Sequence, residues 1–336
     1  MSTVKRLSMF RVAVAVVAVV GSGCATSTVA GPAGIATGSA GAPARRPPAP
    51  GVLVKPAALV FDGDGHFAFV DGKTGAAMSS DDVVARLSLH RVVVVGEQHD
   101  QVHHHEAQRR LVQMLANAGP GLVVGLEMLS WDKQSTLDRF NSGELDAKAF
   151  STAVDWKGAW GFDFGLYTGI FETGRASGAS FLALNAPREL VRTVRKQGLA
   201  GLSDGARAQV PELDLEDEAH RRWFEGVFNS AGHPLQEAEV DAFYLAQVLW
   251  DESMAARAAD AVRAGARQVV VLAGAGHIAA GRGIPQRVER RLGGNVLTVQ
   301  PLTVDADSVD RVIGQAIANA DADILVVPRF EVEIAL

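Results

Sequence analysis

The stretch Val92-Val-Val-Val-Gly-Glu-Gln-His99, followed at once by Asp100-Gln-Val-His-His-His105, decides the fold. Four consecutive valines leave no polar face, so the segment reads as a parallel strand buried on both sides. Gly96 marks a point where the backbone can turn sharply. Glu97 and His99 then stand just past the strand's carboxyl end, the edge at which open α/β sheets bind their ligands. The pattern returns in Gln268-Val-Val-Val-Leu-Ala-Gly-Ala-Gly-His277, a second apolar run that also ends in Gly-x-x-His.

Working outward, elements alternate. Ala57–Asp62 and His66–Asp71 read as a hairpin joined by Gly63-Asp64-Gly65. Ser79-Ser-Asp-Asp supplies capping groups for a helix running to Ser88. A second helix follows the first buried strand over roughly Gln101–Asn117. Further strands are predicted at Leu122–Leu126, ending at Glu127, at Phe181–Leu184, ending at Asn185, at Asn295–Val299 and at Ala322–Val327. This alternation predicts an α/β fold, a mostly parallel sheet flanked by helices. The span from Asn185 to Gln268 is too long for one crossover helix. Residues from about 188 to 264 read as a helical insertion or lid over the sheet's carboxyl edge, broken at Gly198, Gly201, Gly205, Pro211 and Gly232-His233-Pro234.

Glu97, His99, Glu127 and His277 fall at the carboxyl ends of three different strands, so a parallel sheet can bring them together. Two carboxylates and two imidazoles suit a divalent transition metal, and without metal they can act as acid and base. The plainer alternative is that both glutamates cap helices and the histidines are their partners. His103, His104 and His105 point about 100° apart on a helix, so at most one or two join such a pocket, His104 or His105 before His103. Trp156, Trp160, Phe162, Phe164 and Tyr167 crowd one short stretch, as core or as the wall of a flat apolar slot. On a long helix from Glu237 to Arg263, Phe243, Ala246, Trp250 and Met254 form the buried stripe, and Tyr244, Gln247 and Asp251 share an adjoining face.

The amino terminus sets an expected compartment. Lys5, Arg6 and Arg11 precede the apolar run Val12–Val20, which is too short to span a bilayer and suits a signal-peptide core. Gly21-Ser-Gly-Cys24 resembles the lipobox of bacterial lipoproteins, with Cys24 the acylated residue and residues 1–23 removed. Cys24 is the single cysteine, so an internal disulfide or a thiolate metal cluster is excluded. Lipid on Cys24 would tether the protein to a membrane rather than thread it through. Residues 24–56, rich in Gly, Ala and Pro, read as a flexible tether. The folded part is expected over 57–336, and Ala25 after the cysteine points to the periplasmic face of an outer membrane. Loss of three positive charges with residues 1–23 takes the formal charge from −6 to −9, with no electrostatic footprint for nucleic acid.

Taken in order, Gly96-Glu-Gln-His-Asp100 with His104-His105, Leu126-Glu-Met128, Leu184-Asn-Ala-Pro-Arg188, Ala246-Gln247 with Trp250-Asp251 and Met254-Ala255, and Gly274-Ala-Gly-His277 with Gly283-Ile-Pro285 resemble the ChaN-like haem-binding lipoproteins of the Tiki/ChaN superfamily. The resemblance implies haem as the cofactor, uptake or storage of haem iron without catalysis, and an α/β core with a helical subdomain. It also implies a homodimer with two haems face to face, a tyrosine on iron and a histidine on a propionate. Tyr244 is the first choice for the iron ligand and Tyr167 the second, with His233 or His104 toward the haem. The alternative is a metal-dependent hydrolase, resembling Tiki proteases or erythromycin-type esterases, in which Glu97, His99, Glu127 and His277 hold a metal or position a water.

Overall fold

The computed structural model describes residues 58–230 and 237–329. The expected signal peptide, Cys24, the tether and His233 lie outside the described residues. Eight strands form one sheet: β1 (Phe67–Asp71), β2 (Ala77–Met78), β3 (Val92–Glu97), β4 (Leu122–Ser130), β5 (Ser180–Asn185), β6 (Gln268–Gly274), β7 (Val296–Pro301) and β8 (Ile324–Pro328). Their order is β2-β1-β8-β7-β3-β6-β4-β5. From β8 to β5 every pairing is parallel, while β1 joins β8 and β2 antiparallel.

The valine run forms the centre because both of its faces are covered. Val93 and Val95 pack with helices Val102–Asn117 and Gly165–Ala176, while Val92 and Val94 pack with Met254, Ala255 and Ala258 of the long helix and with Ile284 and Val288. Val92 to Val95 are all fully buried. Gly96 is not a turn. It remains inside β3 without a positive φ. A Cβ there would lie 2.2 Å from Gln300 Oε1 and 2.7 Å from Ile278 Cδ1, so close packing demands the glycine. β4 likewise runs past Glu127 to Ser130, with a register shift against β5 between Leu126 and Ser130.

One other expectation is corrected. The hairpin partner of β1 is β2, and the 57–62 segment contributes only a Phe61–Ala68 bridge. The loop at Gly63–Gly65 is held instead by Asp62, whose carboxylate accepts from the backbone of His66 and Phe67. The stretch from 188 onward is helical in pieces: Arg188–Gln197, Asp204–Arg207, Glu218–Ser230 and Glu237–Arg263, with residues 211–217 outside helix. Its last helix is the return crossover from β5 to β6. Its carboxyl half packs under the sheet, and its amino half carries Gln247 and Asp251 to the functional edge. Buried Glu252 fastens it, pairing with Arg287, Arg290 and Arg291 and accepting from the backbone N–H of Asp214 at 3.0 Å.

The open edge of the sheet at β5 is closed by side chains rather than by another strand. Asn141 accepts from Phe181 N–H at 2.8 Å and donates to its carbonyl at 2.9 Å. Gln134 accepts from Ala183 N–H at 2.8 Å, and Arg257 donates to the Ala183 carbonyl at 2.7 Å. These bonds satisfy the backbone groups that would otherwise invite a further strand.

Candidate functional site

The carboxyl edge gathers two histidine–carboxylate units on either side of Glu127. In the first, β3 ends by placing the Glu97 carboxylate in the core, and the chain returns two residues later so that His99 Nδ1 meets Glu97 Oε1 at 2.6 Å. Tyr167, from the Gly165–Ala176 helix, donates its hydroxyl to the same Oε1 at 2.8 Å and receives Trp160 Nε1 at 3.0 Å. His105 faces acceptors on both sides: its Nε2 is 3.1 Å from the His99 carbonyl, and its Nδ1 is 3.3 Å from Gln108 Oε1 and 3.4 Å from Glu97 Oε2. Three acceptors and no donor favour the doubly protonated ring. Burial opposes the charge on His105, but Glu97 outweighs it and lifts its pKa. Burial likewise raises the Glu97 carboxyl, and the bonds from His105 and His99 overcome this and hold it well below its ordinary value.

The second unit is built on β6 and the long helix. His277, in the tight turn after β6, sets Nδ1 2.5 Å from Asp251 Oδ1 and Nε2 3.3 Å from Glu127 Oε1. It is again a ring between two acceptors. Burial works against the imidazolium, yet Glu127 and Asp251 raise His277 to about 10. Glu127 takes the Gly274 N–H on its other oxygen at 2.5 Å, and burial is offset by His277 so that its carboxyl is lowered. Gln247 lies beside this pair, with Nε2 3.1 Å from His277 Nδ1 and 3.3 Å from Asp251 Oδ2. His220, on the Glu218–Ser230 helix, comes within 3.5 Å of Asp251 Oδ2. Arg287 donates to its Nδ1 at 3.3 Å, so that ring is neutral, and burial lowers it to about 4.

Between the two units, Gly274 lets the backbone approach. A Cβ there would sit 2.9 Å from His99 Cε1 and 3.1 Å from Nε2. The His99 ring is flanked by Trp160 at 4.7 Å and Phe162 at 5.1 Å between centroids. Of the two roles foreseen for the aromatic stretch, core packing is the one seen. Trp156 is buried in the core, while Trp160 and Phe162 are half-buried beside the site.

Glu97, His99, Glu127 and His277 meet, but not as the expected ligand set. Among the described residues, no group of three or more His, Cys, Asp or Glu is placed to hold a metal ion. The lone pairs are turned on partners within the site: Glu97 on His99 and Tyr167, Glu127 on Gly274 and His277. His104 is fully buried and structural, accepting from Gln98 N–H at 2.9 Å with Nε2 3.1 Å from Thr303 Oγ1. Burial, with His103 adding to it, lowers His104 to about 3. The two tyrosines expected as iron ligands both point inward. Tyr244 gives its hydroxyl to the Asp217 carbonyl at 3.2 Å, and burial raises its pKa above the ordinary phenol value. Burial and the Glu97 charge raise Tyr167 as well. Sequence reasoning did not assign Asp251 a role. Its place beside Gln247 on one helix face was visible, but its partner His277 was not.

The sequence profile of the family described as haem-binding uptake, Tiki superfamily, ChaN, matches residues 83–288. The chain belongs to this family. Among solved structures, the ChaN of Campylobacter jejuni, determined with cofacial haem binding, is 20% identical with a TM-score of 0.61, covering 80% of this chain and 100% of that one. The structural likeness to that ChaN extends to the α/β fold. More distant is the erythromycin esterase EreC in an open conformation, 12% identical with a TM-score of 0.41, covering 76% of this chain and 95% of that one. The type III effector HopBA1 is similar at 14% identity and a TM-score of 0.43, covering 75% and 94%. No curated protein matches the chain.

Proposed function

We propose that this protein is a haem-binding protein of the ChaN type, lipid-anchored through Cys24, that takes up or stores haem without transforming it. The observation that carries the reading is membership of the ChaN family across residues 83–288. The sheet edge supports it with Trp160 and Phe162 beside an imidazole. Both tyrosines are spent in internal hydrogen bonds, so neither phenol oxygen fits an iron in this arrangement. Bound haem would supply a Lewis-acidic iron, and a donor side chain of the protein would hold it. No described helix is long and apolar enough to cross a membrane. In this reading attachment is by acyl chain, in an outer membrane facing the periplasm, and two copies pair on their haems. Haemin added to the purified protein should give a saturable absorption change at a fixed stoichiometry. A change no larger than that with serum-free buffer would refute the reading. Labelled palmitate should enter the wild-type chain in cells and be absent from Cys24→Ser.

A second reading has its own observation. Glu127 lies against the His277 imidazolium at 3.3 Å, a carboxylate and a proton donor side by side at an edge that also holds His99. Such a pair can take a proton from water and give one to a leaving group, which is the chemistry of ester or amide hydrolysis. Turnover of a panel of esters and peptides, lost in Glu127→Gln, would support it. No turnover above background would dismiss it.

A further inference from the structure

The chain is acidic as a whole, with 38 Asp and Glu against 32 Lys and Arg. One short segment reverses that balance. Between residues 188 and 207 stand five basic residues, Arg188, Arg192, Arg195, Lys196 and Arg207, and two acidic ones, Glu189 and Asp204. All but Arg207 of the five lie on the helix Arg188–Gln197.

Their spacing puts them on one face. At about 100° per residue, Arg188, Arg192, Arg195 and Lys196 fall within a single arc of roughly 100°. Leu190, Val191 and Val194 take the other side of the helix, buried in a cluster with Ala246 and Leu249 of the long helix. The basic arc is therefore the face turned away from the core. Arg188, Arg192 and Lys196 are exposed. Arg195 is held in place, its guanidinium 4.9 Å from the centre of the Phe243 ring. Arg192 pairs with Glu189, while among the described residues neither Arg188 nor Lys196 forms an ion pair. Exposed cations elsewhere are matched, Arg139 by Glu144, Arg222 by Glu218 and Arg263 by Asp260.

A helix with an unneutralised basic outer face complements a surface of fixed negative charge. This helix carries no aromatic side chain on which a base could stack, which favours lipid headgroups over nucleic acid. Its place in the fold matters too. β5 ends at Asn185, whose side chain donates to the Glu127 carbonyl at 3.0 Å, and the helix begins just beyond, at Arg188.

We infer that the outer face of the Arg188–Gln197 helix docks on an anionic phospholipid surface through Arg188, Arg192 and Lys196. Docking brings the start of this helix, and with it the carboxyl end of β5, to the lipid headgroups. The membrane attachment proposed above supplies the setting, but the face is testable without it.

The test uses residues 24–336 carrying Cys24→Ser. This form keeps every described residue and lacks both the acyl chain and the apolar run Val12–Val20, either of which would bind lipid by itself. Vesicles of phosphatidylcholine with about one-third phosphatidylglycerol should capture it in sedimentation, and vesicles of phosphatidylcholine alone should not. Arg188→Ala/Arg192→Ala/Lys196→Ala should bind the mixed vesicles about a hundredfold more weakly, at roughly fivefold per basic residue. That gap should close as salt rises from about 0.1 M to about 1 M and the screening length falls from about 10 Å to about 3 Å. Arg188→Lys/Arg192→Lys should bind like the parent, because the interaction uses charge rather than the guanidinium fork. Arg139→Ala/Lys148→Ala/Lys157→Ala removes as many exposed charges from other helices and should also bind like the parent. Equal capture of the parent and the Arg188/Arg192/Lys196 variant would overturn the inference. So would an equal loss in the Arg139/Lys148/Lys157 variant, or capture of the parent by phosphatidylcholine alone. Haemin binding and palmitate labelling are read separately, so failure here is distinguishable from failure of the haem or anchoring readings.

Discussion

Asp251→Asn isolates one charge in the buried relay and gives a prediction with a definite size. His277 lies between Asp251 Oδ1 at 2.5 Å and Glu127 Oε1 at 3.3 Å. Raising its pKa from an ordinary 6.5 to about 10 corresponds to roughly 5 kcal/mol of preference for the imidazolium, against the cost of burial. Two carboxylates share that effect. Asparagine keeps the shape and an acceptor oxygen, so the substitution removes charge without opening a cavity. We expect the His277 midpoint to fall to about 8, and stability at neutral pH to drop by roughly 2–3 kcal/mol. The pH dependence has a fixed sign. A histidine raised in the folded state contributes stability that is complete below its unfolded value and is lost as pH climbs through the folded value. The gap between wild type and variant should therefore be full from neutral pH to about 8, and should close as pH approaches about 10. On the acid side it should close again once Asp251 itself protonates, which its lowered pKa places below the ordinary carboxylate range. Imidazole proton resonances followed against pH give the midpoint, and urea unfolding at pH 7 and pH 10 gives the gap. An unmoved midpoint, or an equal gap at both pH values, would refute the reasoning.

The remaining substitutions probe other parts of the structure. Tyr167→Phe removes a 2.8 Å bond to a buried carboxylate and should cost about 1.5–3 kcal/mol in urea unfolding, with native circular dichroism retained. Asn141→Ala strips both caps from Phe181 on the edge strand. It should cost about 1–3 kcal/mol and increase concentration-dependent light scattering during refolding. Gly125→Ala would press a methyl to within 2.6 Å of Leu184 Cδ1, so a loss of roughly 1–3 kcal/mol is expected in thermal unfolding.

Much of this architecture was readable because the relevant signal is local. The valine runs at 92–95 and 269–271 could only be strands covered on both faces, and they lie side by side in parallel register. Residues following such strands had to reach one edge, which is why Glu97, His99, Glu127 and His277 meet. What escaped was pairing between distant segments. Asp251 comes from a helix that precedes β6, and nothing in its own neighbourhood names His277 as its partner. Tyr167 was visible as an aromatic but not as a donor to a carboxylate 70 positions earlier. At Gly96 the sequence predicts a turn, because glycine permits one. The real constraint, the approach of Gln300 and Ile278, belongs to tertiary packing. Among the described residues no metal-holding group is placed, for a related reason. Residue types fix which ligands are present, while the direction of their lone pairs depends on neighbours that the sequence does not place.

The most direct test of the account asks where haem sits. Amide hydrogen exchange, followed by mass spectrometry with and without haemin, reports this without assuming any ligand. Slower exchange should concentrate in peptides covering 98–105, 156–167 and 274–283, the segments that surround His99. Protection confined to the hairpin at 60–80, or to the helix at 309–319 on the far side of the sheet order, would contradict it.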